Sequence, residues 1–256
     1  MSLKKLSQRV SVYMFTTLLS RGVGFLLLPF YTQHLATSEY GGLAIIDMIG
    51  LYFSIFIAGG LSTALVRFFE PNNEHTSNRV FTGIIIIITG LFALLFALAF
   101  GILSVFQFEE ISAKLVLVAL IFFGLDTINT IYTKHLAIRK KDYQFLFVSV
   151  LKLAVAIPLN IYLIAFEKLG IAGFIYANVA SSLTVTLFFF LPYFVKRFVT
   201  NSRKQLWQLL KFSYPFIPNG LLEALFTSLS VILLAFFHDQ ATVGLFAIAV
   251  KLASIL

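Results

Sequence analysis

Seven apolar stretches, each long enough to cross a lipid bilayer as a helix, constrain this chain more than any other feature of its sequence. They lie at approximately 10–32, 42–65, 80–106, 114–134, 144–166, 170–195 and 208–237, and an eighth begins near 241. Crossing the hydrocarbon core takes roughly 20 apolar residues, and a helix satisfies every backbone N–H and C=O group within the segment. Because the chain is also 59% hydrophobic and only 12% charged, it is predicted to be an all-α integral membrane protein.

Basic residues are concentrated in alternate connecting segments, which predicts the orientation of the chain. Segments 4–9, 67–79, 134–141 and 196–211 hold most of the 19 Lys and Arg residues, whereas the alternate segments hold two lysines and five acidic residues. Cytoplasmic loops carry the Lys/Arg excess, so we predict a multi-pass protein of the cell membrane with a cytoplasmic N-terminus. The same distribution accounts for the net charge of +8, so nucleic acid is not expected as a partner.

The end of the first stretch and the end of the seventh share a short internal similarity. The corresponding pairs are Leu27 and Leu233, Leu28 and Leu234, Phe30 and Phe236, Gly41 and Gly244, Ala44 and Ala247, and Ile45 and Ile248. Six spans separate the two copies and preserve their orientation, which predicts two parallel six-helix lobes related by pseudo-symmetry. The predicted division is an N-terminal lobe at 1–195, a cytoplasmic linker at 196–207 and the start of a C-terminal lobe at 208–256. The chain is therefore expected to be an N-terminal fragment of a longer protein.

A few ionisable residues lie inside the predicted spans. They are Arg21, Asp47, Asp126, Lys152, Glu223 and Lys251. A charge at the centre of a spanning helix costs roughly 2.5–3.5 kcal/mol on insertion scales, so such residues usually face a bundle interior or a wet cavity. Two interpretations stay open at this point: the charges pair and hold helices together, or they line a polar pathway. Position alone favours an interface anchor for Arg67.

Proline and histidine positions carry weaker signals. Pro215 and Pro218 lie in a Pro-x-x-Pro-Asn-Gly run within the seventh stretch, which predicts a helix bend that lines a cavity. The four histidines are scattered without metal-ligand spacing, there is no cysteine, and no glycine-rich nucleotide-binding motif occurs. We therefore expect no enzymatic activity, no metal and no cofactor.

The stretch from Ser20 to Ile49, SRGVGFLLLPFYTQHLATSEYGGLAIIDMI, resembles the first helical hairpin of Wzx-type polysaccharide flippases. These belong to the multidrug/oligosaccharidyl-lipid/polysaccharide exporter superfamily. The matching features are Arg21 eight residues before Pro29, the Glu39-Tyr40-Gly41 motif and Asp47. Segments 135–150 and 168–183 resemble later spans. One departure is that family members commonly carry an acidic–basic pair late in the seventh span, where this chain has Leu229 and Ser230.

The resemblance implies a MATE-like fold of two six-helix lobes. It also implies the transfer of undecaprenyl-diphosphate-linked oligosaccharide from the cytoplasmic to the outer leaflet of the inner membrane, by alternating access, for O-antigen lipopolysaccharide or exopolysaccharide assembly. The implied partners are the lipid-linked oligosaccharide, membrane lipids and other polysaccharide assembly proteins. Residues expected to contact the diphosphate are Arg21, Arg67, Lys152 and Lys251. Residues expected to gate the cavity or couple an ion are Asp47, Asp126 and Glu223.

Two other activities within the same superfamily compete with this one, namely a lipid II flippase and a cation-coupled drug exporter. The Glu39-Tyr40-Gly41 hairpin favours the polysaccharide branch over the drug exporters. A membrane-embedded polysaccharide polymerase is a remoter alternative, because such enzymes place catalytic residues in large loops. The predicted non-cytoplasmic loops of this chain are short.

Overall fold

The computed structural model describes residues 27–105 and 112–253, together with Met14, Thr16, Leu18 and Gly22. Within these residues every regular element is helical. The first predicted stretch lies largely outside them, and 27–34 is the contiguous described part of its helix, α1. The later helices are α2 (Thr37–Ala58), α3 (Leu61–Arg67), α4 (Glu74–Val105), α5 (Ala113–Ile138), α6 (Asp142–Ile161), α7 (Gly170–Val185), α8 (Leu191–Lys196), α9 (Arg203–Ser213), α10 (Phe216–Phe237) and α11 (Gln240–Ala253).

Six helical stretches of the described chain are long and apolar enough to cross a membrane. They are Thr37–Arg67, Glu74–Val105, Ala113–Ile138, Asp142–Phe166, Gly170–Lys196 and Arg203–Phe237. Each corresponds to one of the predicted spans from the second to the seventh, and the shorter apolar helix α11 begins at the predicted eighth. The prediction of an all-α membrane fold is confirmed.

Large apolar side chains cover the outside of the bundle as well as its interior. Phe100, Phe188 and Phe236 are 57%, 70% and 81% exposed in the isolated chain. Water would make such a surface aggregate, whereas lipid tails solvate it, so a helix can be apolar on all sides in a bilayer. The exposed aromatic faces are therefore typical of a chain that spans a membrane.

The main apolar core extends along α4 and α5 from one end of the bundle. That end carries the segments 68–73, 139–141 and 197–202, and is called the basic end below; the other is called the opposite end. Ile57, Leu65 and Phe81 are almost completely buried there, together with partners from α5 and α9. His135 is also fully buried and stacks on Phe81, with ring centroids 4.1 Å apart. This core holds the predicted linker region against the helices that precede it.

Several helices are interrupted or change their helical geometry along their length. Gly60, between α2 and α3, has a φ of +76°, and Phe216 approaches it so closely that a Cβ there would lie 2.9 Å from that residue's Cβ. Glycine alone satisfies both conditions. After Pro158, α6 continues as a π-helical turn at Tyr162–Phe166, and α7 continues as another at Thr186–Phe190.

A short amphipathic helix, α9, precedes the seventh predicted span. Ser202 caps it, because the Ser202 Oγ accepts a hydrogen bond from the Gln205 N–H and the Gln205 Oε1 accepts one from the Ser202 N–H. Trp207 is 66% exposed, as expected for an aromatic residue at a membrane surface. The helix ends at Ser213 and α10 begins at Phe216, so the chain is interrupted at Pro215 rather than smoothly bent.

Helices α2 and α11, which contain the second halves of the two copies of the internal repeat, pack against each other. A Cβ on Gly41 would overlap the carbonyl oxygen of Gln240, and a Cβ on Gly244 would overlap the carbonyl oxygen of Thr37. The two glycines correspond to each other in the repeat. On both helices the absence of a side chain allows the two backbones to come into close contact. The lobe boundaries at 195 and 207 stay predictions.

Candidate functional site

Asp126 and Lys152 form an ion pair between α5 and α6 at membrane depth. The Lys152 Nζ donates to the Asp126 Oδ1, and the side chains are 31% and 35% exposed, respectively. The pair neutralises two of the charges singled out in the sequence, so an isolated charge is avoided at both positions. About one-third of each side chain is exposed in the isolated chain, so the pair is not fully enclosed by the described helices.

Asp47 and Lys251 face each other from the repeat-related helices α2 and α11. The ammonium group of Lys251 lies close enough to Asp47 to act on it electrostatically. It also lies 5.0 Å from the centroid of the Tyr40 ring, in a cation–π arrangement. The structure therefore brings together one predicted diphosphate contact and one predicted gating residue.

The other predicted site residues lie apart from these two pairs. Arg21 is outside the described residues. Glu223 is exposed on α10, and within the described chain no side chain is hydrogen-bonded to its carboxylate. Arg67 lies at the basic end, with its guanidinium 5.9 Å from the Phe212 ring centroid. The described part of the chain contains no group of three or more His, Asp or Glu side chains placed to hold a metal ion.

Each residue of the Glu39-Tyr40-Gly41 motif has a structural role where α2 meets its neighbours. The Glu39 Oε2 accepts a hydrogen bond of 2.9 Å from the backbone N–H of Ala36 at the start of the helix. Its other carboxylate oxygen packs against Gly170, which has a φ of +54°. Tyr40 is buried beneath Lys251, and Gly41 allows the backbone of α11 to approach closely.

A polar cavity of about 280 Å³ lies beside this motif at the opposite end of the bundle. Its polar lining includes Gln33, His34, Glu39 and Lys168. In the next loop of the same end, hydrogen bonds from the backbone and side chain of Thr242 hold the pKa of Asp239 below its ordinary value. This end therefore carries mixed charge.

At the basic end, cations converge on the ring of Tyr193. The guanidinium of Arg197 lies 4.2 Å and the ammonium of Lys141 lies 5.2 Å from its centroid. Burial, together with Arg197 and Arg139, lowers the pKa of Lys141. Arg139 donates to Glu74 at 2.8 Å and also to an amide oxygen of α4, so its charge is compensated.

A second cavity, of about 340 Å³, opens at the basic end between the end of α3, the start of α4 and α9. We call it the basic-end cavity. Its lining residues are Arg67, Phe68, Glu70, Thr76, Arg79, Val80, Asn201, Gln205, Gln208 and Leu209. Sequence reasoning singled out Arg67 but missed Arg79 and the amides, because their relation depends on how α9 packs on α4. The capping pattern Ser202 to Gln205 is the one local signal that predicts where α9 begins.

A family model described as polysaccharide biosynthesis protein matches residues 6–256. The chain belongs to this family. The match covers nearly the whole sequence and agrees with the resemblance seen in the first hairpin. No curated protein matches the chain significantly.

Solved structures of membrane transporters share the fold of this family member. One is described as the inward-facing conformation of a multidrug resistance MATE family transporter of the MOP superfamily, with a TM-score of 0.68 at 16% identity. The outward-facing conformation of such a transporter matches with a TM-score of 0.63 at 18% identity. A MOP superfamily transporter from Pyrococcus furiosus, described as having a binding pocket of reverse polarity, matches with a TM-score of 0.61 at 18% identity.

These structures cover 96% of this chain, whereas the chain covers 61% of the first and 62% of the other two. The likeness shows the fold at this level of identity, and the fold is that of a multi-pass membrane transporter. With the family match, it places the chain among polysaccharide biosynthesis proteins built on the architecture of the MOP superfamily.

Proposed function

We propose that the full-length protein is a flippase that carries undecaprenyl-diphosphate-linked oligosaccharide from the cytoplasmic to the outer leaflet of the inner membrane. The observation that carries the proposal is the polysaccharide biosynthesis family match on a transporter fold. A step of polysaccharide synthesis that requires such a fold is the transfer of a lipid-linked sugar across the bilayer. The basic end then faces the cytoplasm, as the charge asymmetry of the loops predicts.

The charge pairs support this proposal energetically. A diphosphate cannot enter hydrocarbon unaided, because an uncompensated charge there is costly. Lys152 and Lys251 are each matched by a carboxylate in the described chain, so their charges cost little when no substrate is bound. A diphosphate competes for these lysines, and Arg21 adds a further cation. Asp47 and Asp126, once displaced, are free to bind a proton or a coupling cation.

The α2–α11 packing supports alternating access between two lobes. These helices contain the second halves of the two repeat copies, and their backbones meet at Gly41 and Gly244, toward the opposite end. We place the boundary between the lobes at this contact, with Asp47 and Lys251 on its two sides. Opening the contact would expose both charges to the outer side, while the basic end closes.

Complementation tests the proposal. The full-length gene is expressed in a strain that lacks its O-antigen or capsule flippase, and surface polysaccharide is measured against membrane protein level. Wild type restores the polysaccharide, Arg21→Ala abolishes it, and Arg203→Ala, an exposed arginine at the start of α9, leaves it intact. Normal polysaccharide with Arg21→Ala at normal expression would contradict the role of Arg21, and failure of wild type would contradict the function.

A cation-coupled drug exporter is the second candidate, because the matching structures include transporters described as multidrug resistance proteins. In that case the full-length protein lowers drug accumulation in cells and the effect collapses with the sodium or proton gradient. Gradient-dependent drug efflux without restoration of polysaccharide would replace the first candidate with this one. Restoration of growth in a strain depleted of its lipid II flippase would instead assign lipid II as the substrate.

A further inference from the structure

The basic-end cavity holds two arginines that have no counter-ion among the described residues. Neither Arg67 nor Arg79 forms an ion pair or donates a hydrogen bond to a described side chain. Glu70 lines the same cavity but lies beyond ion-pair distance of both within the described chain. Arg139, at the same end of the bundle, has both a carboxylate and an amide oxygen as partners. Unlike Arg139, the two cavity arginines are therefore available to bind an anionic ligand.

The walls of the cavity supply further hydrogen-bond donors. Gln205 uses its Oε1 to cap α9, which fixes the side chain and leaves the Nε2 group as a donor toward the cavity that it lines. Gln208 adds a second amide group to the lining, whereas the Nδ2 group of Asn201 already donates to the carbonyl of Val199. Donors of this kind, held on helix ends around a pair of guanidinium groups, suit the several oxygen acceptors of a phosphate.

The position of the cavity favours a phosphate that is attached to a lipid. Helix α9 lines it with Leu209, and the exposed Trp207 marks the level of the membrane surface on the same helix. Val80 of α4 adds a further apolar side chain to the lining. The volume of about 340 Å³ falls within the usual range of small-molecule sites. A headgroup can enter here while its hydrocarbon chain stays in the bilayer.

We propose that the basic-end cavity binds the phosphate headgroup of a lipid through Arg67 and Arg79, before the headgroup reaches the charge pairs at membrane depth. This deepens the proposed function and rests on it for the identity of the lipid, since the diphosphate of a polyprenyl-linked sugar and the headgroup of an anionic phospholipid share this chemistry. Arg67 is then a docking residue at the basic end, separate from Lys152 and Lys251.

Binding of radiolabelled inorganic pyrophosphate to the purified full-length protein, in nanodiscs of phosphatidylcholine, tests the site. Arg67→Gln and Arg79→Gln are each expected to weaken binding about tenfold, because each removes charge-assisted hydrogen bonds. Arg139→Gln is the matched control, a nearby arginine at the same end whose charge is already compensated, and it is expected to bind as wild type does. Elution volume and thermal stability are compared for every single variant, and the variants that fold as wild type does decide the outcome.

Unchanged pyrophosphate affinity in both single variants would overturn the proposal, as would an equal loss in Arg139→Gln. Competition identifies the source of the phosphate. Displacement by undecaprenyl diphosphate alone assigns the substrate, displacement by phosphatidylglycerol alone assigns a membrane phospholipid, and displacement by neither overturns the lipid-bound ligand. The proposed site and the proposed function can be contradicted separately. If the wild-type protein binds pyrophosphate through Arg67 and Arg79 but does not complement, the result supports the site and contradicts the function.

Discussion

At the residue scale, the ion pair of Asp126 and Lys152 is the clearest example of how this chain tolerates charge inside the membrane. The two residues are on neighbouring helices, α5 and α6. Each charge neutralises the other, which avoids the energetic cost of an unpaired charge inside the membrane. A salt bridge on the surface of a soluble protein stabilises little, because water solvates both ions well. In a bundle surrounded by lipid the alternative to pairing is far less favourable, so removing one partner is expected to cost more than removing both.

The first prediction follows from this asymmetry. We expect Asp126→Asn and Lys152→Met each to lower the stability of the full-length protein by about 1–3 kcal/mol, since each leaves one unpaired charge or donor. The double variant is expected to recover at least half of that loss, and thermal unfolding in detergent measures it. The effect stays below that of a fully buried pair because both side chains are about one-third exposed. Additive losses in the double variant would show that the pair contributes nothing.

Transport separates the structural and functional roles of the same pair. If Lys152 contacts the diphosphate, the stable double variant still fails to restore surface polysaccharide, because it has lost the cation. Exchange of the two residues, Asp126→Lys with Lys152→Asp, is expected to restore stability and to leave transport impaired. Full complementation by the stable double variant would restrict both residues to holding α5 and α6 together.

Which charges lie within the spans was predictable from the sequence, whereas their partners were not. Hydropathy places Asp126 and Lys152 in adjacent spans, but 26 positions separate them along the chain, and helix rotation decides whether they meet. The same holds for Asp47 and Lys251, which become neighbours only through the packing of α2 on α11. The sequence left pairing and a polar pathway as open alternatives; Asp126 and Lys152 form an ion pair, and the roles of these charges in transport stay predictions.

At the element scale, the contact between α2 and α11 depends on the absence of side chains. Gly41 and Gly244 correspond in the repeat, and each lies against the backbone of the other helix. Small residues allow helices in a membrane to approach closely, which gains van der Waals contact where no hydrophobic driving force exists. A methyl group at either position has no room unless the helices separate.

The second prediction uses alanine as the smallest probe of this contact. Gly41→Ala and Gly244→Ala are each expected to destabilise the full-length protein by about 1–3 kcal/mol through overpacking. Together they are expected to cost less than the sum, because the first substitution already separates the helices. Gly90→Ala on α4 is the control, since a Cβ there meets nothing within 4 Å and alanine favours the helix by about 1 kcal/mol. Thermal unfolding of the four variants measures the difference, and equal behaviour of Gly41→Ala and Gly90→Ala would contradict the close contact.

Helix positions were predictable because apolar length is a local property of the sequence. The six described spans fall where hydropathy predicted them. The π-helical turns at 162–166 and 186–190 were not predicted, and the second begins where side chains of α5 and of the continuation of α7 are hydrogen-bonded to each other. Thr186, at the start of the second turn, donates to the Asn129 Oδ1 while the Asn129 Nδ2 donates to the carbonyl of Ser182. No periodicity in the sequence encodes that exchange.

At the scale of the whole molecule, the separation of charge between the two ends of the bundle sets the expected orientation. The basic end carries the compensated Arg139 and the uncompensated Arg67 and Arg79, whereas the described part of the opposite end carries Glu39, Glu167 and Asp239 with the lysines Lys114 and Lys168. Lys and Arg near the ends of spans are retained on the cytoplasmic side during insertion.

The third prediction tests that orientation directly. These 256 residues contain no cysteine, so Asn72→Cys or Glu167→Cys places a unique thiol in an exposed loop once any cysteine elsewhere in the full-length protein is replaced by serine. In sealed right-side-out spheroplasts, a membrane-impermeant maleimide is expected to label Glu167→Cys and to spare Asn72→Cys. Permeabilisation is the control and exposes both. Labelling of Asn72→Cys in sealed spheroplasts would invert the topology and remove the cytoplasmic assignment of the basic-end cavity.

The sequence by itself determined that this chain is an all-helical membrane protein, where its spans lie and which side chains are charged within them, because these depend on local composition and length. The apolar stretches and the repeat also indicated the transporter architecture that the structural matches share. Only the tertiary structure decided that Lys152 meets Asp126, that Gly41 meets Gly244 and that Arg67 shares a cavity with Arg79. Those contacts depend on the rotation and approach of helices that are distant in the chain, which packing decides and hydropathy does not encode.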